Sequence, residues 1–432
     1  MNKFRSGTLL FALLLLAGPA VANVQTLVVM PFGNLSKKPG YQWVGESFPE
    51  LLQDRLAWPN LNPLGREERL IAFDRIGIAY SNQLSKASLI RIGQELDSNY
   101  LILGDFTCDG QRLQASVSVL DMHRNYLGLA IQDEGTLLDL QLICSRIAWR
   151  IVNYLDPHVS VSQEVFLERF PVIPLEALEN YIRGLMESDS AKQIRYFREA
   201  DKGYPNFSDA IFQLGKIYYE QKDYSTSCLW LQRLTRMNKN ISAASFFLGL
   251  DYLHLGNYER AIAEFQQLSQ VLPLNAVYTN LGIALSYQGL NDKATKAFQL
   301  ALEGDPSGID FYFNLSYHLW KLGDFSKAAQ NLKALTQRTD QDGQAYYLLY
   351  KCQQTLGRSA EAEAAYALAR QLKPEVEVWE NHKRIPDLFR IQNKFDETTF
   401  RLLQMEIEQL QNNKTANLPD RQEMHGSSNR TP

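Results

Sequence analysis

Cysteine is scarce in this chain: 4 of 432 residues, at Cys108, Cys144, Cys228 and Cys352. None stands in a CxxC pair or at a spacing that joins histidine, which excludes a zinc site of the usual kind. Cys108 and Cys144 are the one pair that a single domain could bridge, and four isolated buried thiols are the preferred reading. Histidine is equally sparse and scattered, at His123, His158, His254, His318, His382 and His425. None has a carboxylate or cysteine at ligand spacing, so surface or hydrogen-bonded roles are expected and no metal is called for. There is no GxxxxGK[ST] loop, no GxGxxG after a strand and no HExxH, so nothing implies a nucleotide, dinucleotide or metalloprotease site. Gly45-Glu46-Ser47-Phe48-Pro49 begins like a nucleophile elbow but lacks the second glycine and starts a helix instead. No cofactor is expected, and the chain does not read as an enzyme. Blocks of one charge sign are missing too. The net charge is -4, which gives no footprint for nucleic acid or a membrane surface.

Long apolar runs are absent beyond the N-terminus, so no integral span is expected after processing. Residues 1–22 read as a secretory signal. Lys3 and Arg5 are its positive region, Leu9–Ala17 its short apolar core, and Ala20-Val21-Ala22 its small-residue cleavage site after Ala22. The expected location is periplasmic or secreted.

What is present is ordinary globular composition, 45% hydrophobic and 21% charged, enough for more than one domain. The expected class is α+β: a small α/β domain followed by an all-α solenoid. Residues 23–156 alternate strand and helix signals. Leu27-Val28-Val29-Met30 is a buried strand ended by Pro31. Trp43–Ala57 has helical spacing, Leu70–Phe73 reads as a second strand, and Ser85 caps a further helix. Tyr100–Phe106 and Leu113–Asp121 flank Asp109-Gly110, a hairpin turn. Tyr126–Gln132 is a third strand, and Leu137–Leu155 a closing helix. The run Val28-Val29-Met30-Pro31-Phe32-Gly33-Asn34, then Trp43-Val44-Gly45-Glu46-Ser47, resembles the amino-terminal domain of the TolB family, as does Tyr-Leu-Ile-Leu-Gly-Asp-Phe at 100–106. The resemblance covers about 130 residues and implies a periplasmic module; no β-propeller follows it here.

A linker over 157–175 leads into a repeat. Gly215 to Gly249 is 34 residues, Gly249 to Gly282 is 33, and Gly282 to Ser316 and Ser316 to Tyr350 are 34 each. Turns keep step at Gly256, Gly289, Gly323 and Gly357. Leu248-Gly249, Tyr252, Ala261, Phe265 and Pro273, then Tyr278, Leu281-Gly282, Ala294, Phe298, Ala301 and Pro306, match the tetratricopeptide pattern. Six units follow: 176–207, 208–241, 242–274, 275–308, 309–342 and 343–376. Helices over 377–411 are expected to cap the array, with Phe400, Leu403, Ile407 and Leu410 as an apolar stripe, and 412–432 reads as disordered.

The resemblance to this repeat implies an inner face made by the first helix of each unit. On that mapping the candidate partner-binding residues are Phe212, Tyr219, Phe246, Leu250, Tyr287, Phe313, Tyr317, Trp320, Tyr347 and Lys351. Aromatic side chains bury large area at low entropic cost and suit a peptide or helix. The alternative reading is that several fill the core between repeats or pack under the C-terminal helices. The lysines and asparagines that clamp an acidic C-terminus in chaperone-binding repeats are absent at the corresponding positions Phe212, Phe246, Thr279, Phe313 and Tyr347. The expected function is therefore an exported scaffold that holds a cell-envelope protein through an apolar or aromatic segment. The rival is a periplasmic sensor whose α/β module takes a small ligand and whose repeats relay it.

Overall fold

A computed structural model describes residues 24–36, 40–80, 84–234 and 239–396, with Thr398, Arg401 and Met405. The segment expected to be a signal, nearly all of 397–411 within the expected capping helices, and the 412–432 tail lie outside the described residues. The chain divides into two compact units, with the boundary between Phe170 and Pro171.

The first unit is built on a mixed sheet. Its elements are β1 (Gln25–Val29), β2 (Gly33–Asn34), α1 (Gln42–Leu56), β3 (Leu61–Leu64), α2 (Arg66–Ile76), α3 (Lys86–Glu95), β4 (Tyr100–Cys108), β5 (Arg112–Asp121), β6 (Tyr126–Thr136), α4 (Leu140–Leu155) and α5 (Gln163–Leu167). The order is β3-β1-β4-β5-β6, with β2 added along β4. The β1 pairings with β3 and β4 are parallel, while β4, β5 and β6 run antiparallel. Parallel neighbours are buried on both faces, which is why Leu27, Val28 and Val29 are all apolar and inaccessible. One face packs Val28, Leu64, Leu101 and Leu120 under Phe73 of α2 and Ile92 of α3. The other carries α1 and α4, where Phe48 stacks on Phe32 with centroids 4.0 Å apart. Gly110, at φ +102°, makes the β4–β5 turn, and the Asp109 side chain accepts from the Gln111 and Arg112 amides.

One expected strand is corrected. Leu70–Phe73 belongs to helix α2, and the strand beside β1 is the preceding Leu61–Leu64. Four apolar residues do not reveal their period, and the helix is fixed from outside that window. Glu68 returns its carboxylate to the Gly65 amide at the N-terminus, and Gly77 ends the helix at φ +67°. Within the expected linker, α5 seats Phe166 against Trp58 and Phe170. All four cysteines are buried and unpaired.

The second unit is helical. Its hairpins are α6 (Leu175–Met186) with α7 (Ser190–Gly203), α8 (Ser208–Glu220) with α9 (Tyr224–Leu231), α10 (Ile241–His254) with α11 (Tyr258–Val271), α12 (Asn275–Tyr287) with α13 (Asn291–Gly304), α14 (Ile309–Lys321) with α15 (Phe325–Thr336), and α16 (Gly343–Thr355) with α17 (Ser359–Leu372). A short α18 (Glu375–Asn381) follows. Packing explains the small residues of the register. A Cβ on Gly249 would stand 2.6 Å from the Phe265 ring, and one on Gly282 2.7 Å from the Phe298 ring; neither fits without displacing the ring. Each turn glycine from Gly256 to Gly357 has φ between +73° and +81°, the left-handed residue that ends a helix and releases the chain into the next.

Candidate functional site

The first helices α8, α10, α12, α14 and α16 lie side by side and form the inner face of the array. That face is covered by the chain itself. After α18 the backbone makes the same helix-ending turn as in the repeats: Lys383 takes φ +49°, its amide donates to Glu380 O, and the Arg384 amide donates to Trp379 O. No second helix forms over residues 384–396. Pro386 lacks an amide hydrogen and drives Ile385 away from helical backbone, so residues 384–396 contain neither helix nor strand and run along the inner face.

Two asparagines grip this segment by its main chain. Asn280 Nδ2 donates to Gln392 O at 2.8 Å, and the Gln392 amide donates back to Asn280 Oδ1 at 2.9 Å. Asn314 repeats the arrangement one unit on, with Arg390 O and the Arg390 amide both at 2.8 Å. Each carboxamide therefore satisfies the donor and the acceptor of one residue, at alternate positions of the segment. Both asparagines are inaccessible, so removing either leaves two backbone groups unpaired, at about 1–3 kcal/mol each.

Side chains of the segment enter pockets between the repeats. Phe389 lies 4.8 Å from Tyr317, 5.5 Å from Tyr287 and 5.8 Å from Phe298, with the Lys321 ammonium 5.0 Å from its centroid. Arg390 stacks its guanidinium 3.7 Å above the Phe313 ring and donates to Asp310 at 3.0 Å and Asp342 at 2.7 Å. A planar cation between an aromatic face and two carboxylates is a specific arginine pocket. Phe395 reaches Phe246 at 5.1 Å, Leu388 is buried, and the Tyr219 hydroxyl donates to Asn393 at 2.6 Å. The Tyr287 hydroxyl donates to Asp387. Burial raises the Tyr287 phenol, and the Asp387 charge adds to the effect; burial likewise pushes Tyr317 up to about 12. Both phenols remain neutral across the physiological range.

The ten candidate residues thus divide. Tyr219, Phe246, Tyr287, Phe313 and Tyr317 converge on residues 387–395. Tyr347 and Lys351 meet α18 instead: both bond Glu380, at 2.9 and 3.1 Å, and Tyr347 packs edge-on to Trp379 at 5.3 Å. Burial opposes the Glu380 charge, but the hydrogen bonds from Tyr347, Lys351 and Tyr350 outweigh it and hold the carboxyl below its usual range. Phe212 packs on Phe247, Trp320 stacks on Tyr317, and Leu250 is buried in the repeat core. The groove expected to be open is closed in this structure: Phe246, Phe313 and Tyr347 are fully inaccessible under residues of the same chain.

Sequence reasoning missed the asparagines and the acids. Asn280 and Asn314 each lie two residues before the register positions Gly282 and Ser316. Two carboxamides at one repeat position, on otherwise apolar helices, were the available signal. The buried His318 is held among Ser286, Thr295 and the Asn291 carbonyl, and burial lowers its pKa. In the first unit a cavity of about 390 Å³ lies beside β4, β5 and β6, bounded by Asp105, Asp133 and Glu134. Asp133 is paired with Arg146, and Glu134 with Arg112. Among the described residues no group of three metal-ligating side chains comes together, and no helix is long and apolar enough to cross a membrane.

The family model of the tetratricopeptide repeat matches residues 230–276, 279–342 and 313–377. No curated protein matches the chain. Solved structures similar to it include MamA of AMB-1, at 20% identity over 41% of this chain and 96% of that one, TM-score 0.33. MamA from residue 41 onward of Desulfovibrio magneticus RS-1 is 20% identical over 38% of this chain and 96% of its own, TM-score 0.37. YrrB, described as a TPR protein with an unusual peptide-binding site, is 14% identical over 44% of this chain and 98% of its own, TM-score 0.37. Within the helical unit, residues 230–377 thus carry the tetratricopeptide repeat.

Proposed function

We propose that this chain is an exported scaffold whose repeat array holds an extended segment of a cell-envelope protein, with the TolB-like first unit serving to dock a second partner. Export is supported by Lys3, Arg5, the apolar run Leu9–Ala17 and the Ala20-Val21-Ala22 site. Peptide recognition is supported by one observation above all: Asn280 and Asn314 satisfy the main chain of an irregular segment at alternate residues. Main-chain bonds of this kind give affinity without demanding a sequence, and the flanking pockets add selectivity. The location follows as periplasmic or extracellular, and the role is binding rather than catalysis.

A photo-crosslinking residue at Trp320, on the inner face, tests the groove in intact cells, with the exposed Leu229 of α9 as control. A defined envelope-protein adduct at position 320 is expected, lost on Asn280→Ala with Asn314→Ala and absent at 229. Equal adducts at both positions, or an adduct at 320 indifferent to the asparagines, sinks the groove. Export is checked separately: the mature protein should begin at Asn23 by N-terminal mass spectrometry.

A further inference from the structure

The occupant of the groove is itself informative. Residues 385–395 follow α18 after one tight turn, lie in the site without regular structure, and make every type of contact that a bound peptide would make. Two main-chain clamps, an arginine between Phe313 and two acids, and aromatic pockets for Phe389 and Phe395 are all filled by one short stretch. The arginine pocket is the selective element, since the clamps read any backbone. Asp310 and Asp342 leave two negative charges facing one another across the site when no cation lies between them.

We infer that residues 385–395 are a resident pseudo-ligand, held in cis, which marks the true ligand as an extended protein segment with an aromatic residue followed directly by arginine, and that such a segment binds only by displacing them. This rests on the peptide-binding reading given above. A linked segment competes at a high effective concentration set by its short connection. A free segment therefore meets a site that is open for only a fraction of the time, and its apparent affinity falls by that fraction.

The probe is a fluorescein-labelled synthetic peptide spanning Arg384–Asp396, titrated by anisotropy into the full-length mature chain. Native protein is compared with Phe389→Ala/Arg390→Ala and with Arg390→Glu, whose carboxylate is repelled by Asp310 and Asp342. Both variants alter only the segment, and their helical circular dichroism is recorded alongside. Each variant should bind the peptide at least about tenfold more tightly than native protein, corresponding to a native site free roughly a tenth of the time or less. A peptide with glutamate in place of its arginine should not bind, and Asn280→Ala/Asn314→Ala added to either variant should abolish binding. Equal affinity for native and variant chains overturns the inference, as does failure of both folded variants to bind the peptide. A native dimer that the peptide converts to monomer overturns the cis arrangement, because the segments would then be exchanged between copies. The envelope crosslink at position 320 is read independently of all these outcomes, so the scaffold can survive the loss of its pseudo-ligand.

Discussion

The two units bury polar groups in different ways. In the sheet unit, two arginines enter the interior beside acids: Arg66 meets Glu46 at 2.7 Å, and the inaccessible Arg69 meets Glu50 at 3.1 Å. In the repeat unit a carboxyl, Asp251, is buried among Ser227 and Cys228, and two carboxamides wait on an inner face that no repeat covers. A sheet with helices on both faces satisfies its own surfaces. A row of helical hairpins satisfies only the sides that stack, so its inner face needs something laid across it. Here that something is thirteen or so residues of the same chain.

The largest expected effect separates the units by core damage. Phe48→Ala removes a ring stacked on Phe32 and should destabilise the sheet unit by about 3–5 kcal/mol. Calorimetry of the protein should show that transition moving while the repeat transition stays. A single shifted transition would mean that the units unfold together.

Next comes the contrast between a paired and a lone buried charge. Burial raises Asp251 to about 7, against the smaller opposing pull of Ser227 and Cys228. Below about pH 4 the carboxyl is protonated both folded and unfolded. Between pH 4 and 7 only the unfolded chain gives up its proton freely, so stability falls as pH rises, and the cost is complete above pH 7. Asp251→Asn removes this dependence. Its unfolding free energy relative to native protein should grow by roughly 2–4 kcal/mol from pH 4 to pH 8. A flat difference by denaturant titration would show that Asp251 is charged at little cost.

Asn280→Ala with Asn314→Ala acts on the inner face alone. Amide exchange at Arg390 and Gln392 should accelerate by the equivalent of roughly 2–3 kcal/mol, with the amides of α12 and α14 unchanged. Protection that persists in the double variant would place the hold on the segment in its side-chain pockets. The smallest effect is at the turn that redirects the chain: Lys383→Gly relieves a left-handed non-glycine residue and should raise the melting temperature slightly, by about 0.5–1 kcal/mol of stability.

Much of the repeat unit was legible from spacing alone. Gly249 and Gly282 are small because Phe265 and Phe298 lie against them, and the turn glycines recur because a left-handed residue ends each helix. In the sheet unit the Asp109-Gly110 hairpin was equally readable. The slip at Leu70–Phe73 shows the limit: four apolar residues fit either period, and the capping Glu68 and Gly77 decide it. The aromatic inner face was readable through the repeat, but what covers it was not.

The amino-acid order by itself determined the helical hairpins, their stride and their close approaches, because these rest on contacts within about one repeat. Only the tertiary structure decided that residues 384–396 would lie in the groove. The pairs that hold them, Asn314 with Arg390 and Asn280 with Gln392, join positions 76 and 112 residues apart. Their partners on the segment are backbone atoms, which every residue has and which therefore leave no mark in the sequence.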